Sequence, residues 1–128
     1  MYTAVDGAAP KPVRWMASAR SDLKRFPAEV RADVGYALWM AQLGQHASQV
    51  KPLKGIAIGG GVLEVVEDHD GSAFRVVYTV RFQGAVYVLH AFQKKSRRGA
   101  ATPKHDIALI RARYEAAEAH YRRHGGSP

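Results

Sequence analysis

The stretch AFRVVYTVRFQGAVYVLHAFQK, residues Ala73–Lys94, carries the clearest structural signal in the chain. In its first half, large apolar residues alternate with polar or smaller ones, and this period of two predicts a β-strand. Gln83-Gly84 then marks a turn, and Ala85–Gln93 predicts a second strand that returns beside the first. The stretch therefore predicts a β-hairpin at the centre of the fold.

The turn fixes which residues of the two strands lie opposite each other. With a two-residue turn, or a four-residue turn in the same register, the expected partners are Val80 with Tyr87, Tyr78 with Leu89, and Arg75 with Phe92. One face is then apolar and suited to packing on helices: Phe74, Val76, Tyr78, Val80, Tyr87, Leu89 and Ala91. The other face gathers cationic and aromatic groups: Arg75, Val77, Thr79, Arg81, Val86, Val88, His90, Phe92 and Lys94. A slip of one residue would exchange the two faces.

Upstream of the hairpin, the pattern predicts one strand and two helices. Val13–Met16 predicts a short strand, and Ser18 or Ser21 would cap a short helix that ends before Pro27. Pro27 suits the first turn of a second helix, whose apolar residues recur at steps of three and four: Val30, Val34, Ala37, Leu38 and Ala41. Gly44 marks the end of that helix. The two helices are expected to form a hairpin against the sheet.

Two further elements flank the hairpin. After a loop over Val50–Gly61, the segment Val62–Glu67 predicts a strand, and Asp68–Gly71 predicts a turn. Downstream, Thr102 as the cap and Pro103 in the first turn would begin a C-terminal helix. Its apolar residues recur at alternating steps of three and four: Ile107, Ile110, Tyr114, Ala117 and Tyr121. This amphipathic helix is expected to pack on the core.

Together these elements predict an α+β fold. A helical hairpin packs on a mainly antiparallel, twisted sheet of four strands, and a C-terminal helix follows. The 128 residues, 47% of them hydrophobic, suffice for one continuous core. We expect a single domain over residues 13–124, with a flexible leader at 1–12 and a flexible tail at 125–128.

The composition narrows the classes of function. The chain has 19 Lys and Arg against 11 Asp and Glu, a net charge of +8, which suits a polyanionic partner and equally a charge that only maintains solubility. The clustering of the cations favours RNA, DNA or an acidic protein as the partner. Cysteine is absent, so disulfides and thiolate metal sites are excluded. No signal-peptide core and no stretch of roughly 18 apolar residues is present, so we expect a cytoplasmic protein without membrane contact.

The polar face of the hairpin has the groups that RNA cleavage requires. Cleavage without a metal needs a base for the 2′-hydroxyl, cations around the phosphate and an acid for the departing 5′-oxygen. His90 titrates near neutral pH, Arg75 offers a two-pronged phosphate contact, and Phe92 can stack on a base. Further cations are expected to hold RNA or complete the catalytic group: Lys54, Arg81, Lys94, Lys95, Arg97 and Arg98.

Each of these assignments has a structural alternative. A strand histidine is often a hydrogen-bonded structural residue, and Phe92 could belong to the core. Arg75 could instead pair with Glu64 or Glu67 on the neighbouring strand. The basic run from Lys94 to Arg98 could be a solvated loop. No metal site is expected, because neither the Asp68–Asp70 turn nor the pair His120 and His124 offers a good set of ligands, and no cofactor is predicted.

The motifs also resemble a known family. From about Pro12 to Tyr121 the chain resembles the RelE/ParE superfamily of toxins from type II toxin–antitoxin systems, and in particular its phage-derived HigB-like branch. The resemblance rests on four segments in one order: Pro52-Leu53-Lys54-Gly55, Phe74-Arg75-Val76-Val77-Tyr78, His90-Ala91-Phe92-Gln93-Lys94-Lys95 and Thr102-Pro103.

This resemblance implies an mRNA endoribonuclease that acts on the ribosome by metal-independent transesterification at the 2′-hydroxyl. It also implies a cognate antitoxin, a helix-turn-helix protein, and contact with operator DNA only through the antitoxin complex. Cationic family positions that hold and cleave mRNA correspond here to Arg75, Lys94 and Lys95, and a commonly basic position corresponds to Lys54. His90 and Phe92 match the His-x-Phe pattern of the branch.

The chain departs from better-known family members in two places. Glu64 is followed by two valines where many members have an arginine, and no tyrosine follows the basic loop. Two other functions therefore stay open. A ParE-like member would inhibit DNA gyrase through protein contacts, and a catalytically inactive module would bind RNA or antitoxin only.

Overall fold

The computed structural model of the protein describes residues 9–56, 60–94 and 101–124. Within these ranges the chain forms the following elements: β1 (Val13–Trp15), α1 (Ala19–Lys24), α2 (Ala28–Gln42), β2 (Val50–Pro52), β3 (Val62–His69), β4 (Ser72–Thr79), β5 (Val86–Lys94) and α3 (Lys104–Arg123). The α+β class is confirmed. Most of the expected leader and all of the expected tail lie outside the described residues.

The sheet of the described residues has five strands, in the order β1-β5-β4-β3-β2, and is mixed. β1 runs parallel to β5, and the other three neighbouring pairs are antiparallel. The prediction of four strands was wrong because β2 was taken for a loop. β2 has three residues, of which Pro52 cannot donate to a ladder, yet it pairs with Val65–Leu63 as an edge strand, where proline is tolerated.

A two-residue turn joins β3 to β4. His69 pairs with Ser72, and the residues between them, Asp70 and Gly71, have φ angles of 49° and 78°. Positive φ at both positions is the geometry of a type I′ turn, which suits the twist of an antiparallel pair. The predicted turn is confirmed, although β3 runs two residues beyond its predicted end.

A β-bulge in β5 changes the register of the central hairpin. Arg75 lies opposite Phe92 as predicted, and Val77 lies opposite His90, but Tyr78 pairs with Val88. Leu89 is therefore an extra residue on β5. The predicted partners beyond this point were wrong, because a six-residue connection, residues 80–85, joins the strands and does not fix their register as a tight turn would.

The bulge moves four side chains to the opposite face of the sheet. Val86 and Val88 pack with α1 and α2, whereas Tyr87 and Leu89 pack with α3. The sequence pattern had assigned each of these pairs to the other face. Since the bulge adds one residue, the predicted faces hold for the β5 residues after Leu89 and are exchanged for Leu89 and the residues before it.

Helices cover both faces of the sheet. On one side, the core includes Val30, Val34, Ala37, Leu38 and Ala41 of α2, the predicted apolar face. α1 has only six residues, so the expected hairpin is a short helix followed by a long one. On the other side, Ile110, Tyr114 and Ala117 of α3 pack on Val77 and Leu89. Among the described residues, no helix is both long enough and apolar enough to span a membrane.

The helix ends agree only partly with the prediction. α2 ends before Gly44, which has a φ of 80° as a helix terminus of this kind requires. Pro27 and Pro103 are the N-cap residues of α2 and α3 rather than members of their first turns. Thr102 therefore does not cap α3, and its hydroxyl instead accepts a hydrogen bond from Arg75.

Candidate nucleic-acid interface

A cleft of about 590 Å³ lies between β2 and the residues that follow it, the strands β3 and β4, and the first half of α3. Its walls fall into three groups. Four cations surround it: Lys51, Lys54, Lys104 and Arg111. Glu64, Arg75 and Thr102 form its floor, and Pro52, Leu53, Ile107 and Ala108 give it an apolar lining. The cleft is open on the sheet face that was expected to be polar, at the edge that α3 leaves uncovered.

The four cations around the cleft, which we call the rim, are all exposed to solvent. Lys51 and Lys54 lie on the β2 side, and Lys104 and Arg111 lie on α3. Positions 104 and 111 are separated by two helical turns, so both side chains lie on the helix face that borders the cleft. Cations on both sides of a groove attract a phosphate backbone that runs through it.

On the floor of the cleft, Arg75 and Glu64 form a buried ion pair. Their exposed fractions are 4% and 3%. Arg75 Nη1 lies 3.6 Å from Glu64 Oε2, and it donates a hydrogen bond of 3.3 Å to Thr102 Oγ1. Lys51 Nζ lies 3.7 Å from Glu64 Oε1. Arg75 therefore pairs with Glu64 on the neighbouring strand, one of the alternatives that the sequence left open. It also lines the cleft.

Lys94 lies beside the floor of the cleft and binds the segment of chain that precedes α3. It is 6% exposed, and its Nζ donates a hydrogen bond to the Ala101 carbonyl. Burial lowers the pKa of Lys94, and the positive charge of Arg75 lowers it further. The structure thus places Lys94 near Arg75, as the sequence suggested, but under the segment that leads into α3.

His90 is held beneath α3 by two side chains of that helix. Its Nε2 lies 2.8 Å from Asp106 Oδ1, and its Nδ1 lies 3.3 Å from Arg113 Nη1. Arginine only donates hydrogen bonds, so Nδ1 of His90 is the acceptor. Nε2 therefore carries the ring hydrogen and donates a hydrogen bond to Asp106. Burial lowers the pKa of His90, against the opposing effect of Asp106. These contacts match the structural role considered for this histidine.

Phe92 stacks on the His90 ring, with centroids 4.7 Å apart and planes 17° apart. It is partly buried and packs against the core on the α3 side. The pair lies together on one face, as the sequence predicted. α3 packs on that face, so His90 is buried and Phe92 keeps only part of its surface exposed.

Of the remaining predicted site residues, one lines the cleft, one lies apart from it and three fall outside the described residues. Arg81 follows β4 at the end opposite Arg75, and its Nη1 donates a hydrogen bond of 3.4 Å to the Gly60 carbonyl. Lys54 lines the cleft. The predictions for Lys95, Arg97 and Arg98 fall outside the described residues.

Comparison with known proteins identifies the family. The profile described as "Phage derived protein Gp49-like" matches residues 21–115, which include the rim, the floor and His90. The chain belongs to this family. The match confirms the phage-derived part of the resemblance, whereas the HigB-like branch stays a prediction.

No curated protein matches this Gp49-like chain. One similar solved structure is the toxin–antitoxin complex RelBE2 from Mycobacterium tuberculosis. The sequence identity is 21% and the TM-score is 0.45, over 69% of this chain and 95% of that chain. At this identity and TM-score the likeness is weak.

Sequence reasoning missed four charged members of the Gp49-like cleft as site residues: Lys51, Glu64, Lys104 and Arg111. Lys104 and Arg111 share a helix face with Ile107, and this spacing of three, four and seven was visible in the sequence. What the sequence does not show is that this face borders a cleft. Lys51 belonged to the motif before Lys54 but was not assigned a role.

Among the described residues, no group of three or more His, Asp or Glu side chains is placed to hold a metal ion. His120 accepts or donates a hydrogen bond of 2.9 Å with the Tyr87 hydroxyl, and its ring stacks on His124 at a centroid distance of 4.3 Å. His69 lies 3.4 Å from Asp70 and 3.8 Å from Glu29. These histidines are therefore engaged with neighbouring side chains.

Proposed function

We propose that this protein is the toxin of a type II toxin–antitoxin system and that it cleaves mRNA on the ribosome. The cleft carries this proposal, because four exposed cations surround a buried arginine in a groove lined by apolar residues. Such a groove suits a single RNA strand, whose phosphates meet the cations and whose bases pack on the apolar lining. Membership of the Gp49-like family supports it.

The proposed reaction is a metal-independent transesterification. The 2′-hydroxyl gives its proton to water and its oxygen attacks the adjacent phosphorus, the bond from phosphorus to the 5′-oxygen breaks, and water returns a proton to the departing 5′-oxygen. The products are a 2′,3′-cyclic phosphate and a 5′-hydroxyl. Negative charge builds up on the phosphate oxygens in the transition state, and Arg75 with the rim lysines stabilises it. The guanidinium of Arg75 matches two phosphate oxygens at once.

His90 and Lys94 support this site from below. His90 is hydrogen-bonded to Asp106 and Arg113 of α3, and Lys94 is hydrogen-bonded to Ala101 ahead of α3. These contacts hold α3 and the segment before it against the sheet. That placement brings Lys104 and Arg111 to the cleft. Lys95, Arg97 and Arg98 stay predicted RNA-binding residues, since they follow β5 directly in the sequence.

An antitoxin would neutralise the toxin by covering the cleft. Arg75, His90 and Lys94 lie too deep in the fold for a broad contact with a protein partner. The proposed contact is therefore with the rim, which is exposed on both sides of the cleft. The antitoxin is proposed to be a helix-turn-helix protein that carries the toxin to operator DNA.

The test maps new 5′ ends on cellular mRNA by primer extension shortly after induction. It compares the wild type with Lys51→Glu/Lys54→Glu on the rim and with Arg20→Glu/Lys24→Glu on α1, which changes the net charge equally. The wild type and the α1 variant are expected to cut within reading frames, and the rim variant is expected to lose the cuts. Arg75→Ala is less suitable, because a buried Glu64 without its partner costs about 3 kcal/mol of stability.

Two outcomes would contradict the proposal. Growth arrest with intact mRNA would sink the nuclease function and make DNA gyrase the target to assay. The second outcome is a wild type that neither arrests growth nor cuts mRNA but binds RNA, with this binding lost in the rim variant. It would make the protein a catalytically inactive binding module. Melting curves of the variants, compared with the wild type, show whether each one folds.

A further inference from the structure

Glu64 is the feature of the cleft that phosphate binding alone does not explain. It is the one acidic side chain among the described residues that line the cleft, and 3% of it is exposed. Its distances to Arg75 and Lys51, 3.6 Å and 3.7 Å, are longer than hydrogen bonds. Its Oε2 atom accepts no hydrogen bond from any described residue. A buried acceptor of this kind calls for a donor.

A carboxylate in a phosphate-binding cleft is costly by itself, since it repels the ligand that the rim attracts. A nucleic acid has few donors that could offset this repulsion. The bases vary along a strand, and phosphates only accept at neutral pH. The ribose 2′-hydroxyl is present in every nucleotide of RNA and is absent from DNA, and it can donate.

Glu64 and Arg75 both line the cleft, so a nucleotide bound there would lie beside both. Their charged atoms lie 3.6 Å apart on neighbouring strands, β3 and β4. In RNA, the 2′-hydroxyl lies on the sugar that carries the adjacent 3′-phosphate. A phosphate on Arg75 therefore brings a 2′-hydroxyl close to Glu64.

We infer that Glu64 accepts a hydrogen bond from a ribose 2′-hydroxyl, so that the cleft binds RNA in preference to DNA. This inference rests on the proposed function, because it assumes that a nucleic acid strand occupies the cleft. If Glu64 only neutralised Arg75, RNA and DNA would bind alike.

The test measures binding of short labelled oligonucleotides of one sequence to the full chain by fluorescence anisotropy. The three ligands are RNA, DNA and 2′-fluoro RNA, which keeps the sugar shape of RNA but cannot donate. A gel run after each titration checks the length of the RNA. The wild type is expected to prefer RNA about tenfold over both other ligands, the factor that one good hydrogen bond to a charged group supplies.

Two variants assign the preference to this carboxylate. Glu64→Gln is expected to bind DNA more tightly, because the repulsion is gone, and to lose most of the preference for RNA. Glu115→Gln removes the same charge from the exposed side of α3 and is expected to keep the wild-type preference. If Glu64→Gln does not fold, the three ligands still decide the question on the wild type.

The outcomes separate this inference from the proposed function. Equal binding of RNA and DNA, lost in the Lys51→Glu/Lys54→Glu variant, would overturn the role of Glu64 and keep the cleft as a nucleic-acid site. An unchanged preference in a folded Glu64→Gln variant would also overturn that role. Binding that the rim variant retains, or no binding by the wild type, would overturn the nucleic-acid function itself.

Discussion

Two carboxyl groups meet where Glu67 of β3 faces Asp33 of α2. Burial raises the pKa of Glu67 to about 7 from 4.5, and a hydrogen bond to Asp33 and its charge add to the rise. The folded protein thus holds this proton more tightly than the unfolded chain does. The contribution to stability is complete below pH 4.5 and is lost as the pH rises through about 7.

We therefore expect the stability of the wild type to fall between about pH 5 and about pH 8, and Glu67→Gln to remove most of that fall. The expected difference is on the order of 1 kcal/mol, because solvent screens a carboxyl that is only half-buried. Urea unfolding at several pH values measures it. Glu115→Gln, which removes an exposed charge, serves as the control. A Glu67→Gln curve parallel to the wild type would show that this carboxyl does not carry the effect.

At the same scale, the sequence predicted the chemical types in the site better than their surroundings. Arg75 and Lys54, which short motifs had marked as site candidates, both line the cleft. The burial of His90 was not predictable from its strand, since it depends on Asp106 and Arg113, which lie in α3. Neither contact produces a recognisable pattern in the sequence around His90.

At the scale of elements, the bulge in β5 and α3 depend on each other. The extra residue, Leu89, has a carbonyl that accepts a hydrogen bond of 3.0 Å from Arg113 Nη1. The same guanidinium reaches Ser18 before α1, where Nη2 lies 3.1 Å from Oγ. Arg113 thus joins α3 to β5 and to the start of α1.

We expect Arg113→Ala to lower the free energy of unfolding by about 1–3 kcal/mol, since it leaves a buried carbonyl and His90 without a donor. Arg122→Ala on the same helix removes only an exposed pair with Glu118 and should cost less than about 0.5 kcal/mol. Urea unfolding gives both values, and amide hydrogen exchange shows whether α3 loosens first. Equal costs for the two variants would rule out this role.

The placement of elements was the least predictable level. The apolar stripe of α3 was visible, but both sheet faces offer apolar partners, so the sequence does not say which face the stripe covers. The bulge is equally hidden, because Leu89 and its neighbours alternate no differently from an ordinary strand. Both features depend on contacts between distant segments.

At the scale of the molecule, four of the cations that give the chain its net charge of +8 surround the cleft. If all four rim cations contact phosphates, the logarithm of the RNA binding constant should fall with the logarithm of salt concentration at a slope of about −3. Lys54→Gln should reduce the slope by about 0.7, and Lys24→Gln on α1 should leave it unchanged. Anisotropy titrations over a range of NaCl concentrations measure these slopes. If Lys54→Gln and Lys24→Gln gave the same salt dependence, the RNA would bind somewhere other than the cleft.

The parallel pairing of β1 with β5 determines when the sheet can be completed during synthesis. Val13 and Val86, which face each other in the sheet, are more than half the chain apart, so β1 has no neighbour until β5 has been synthesised. Lys104 and Arg111 come later still. A chain emerging from the ribosome therefore lacks half of its cleft until α3 has been synthesised, and the proposed activity begins only after that point.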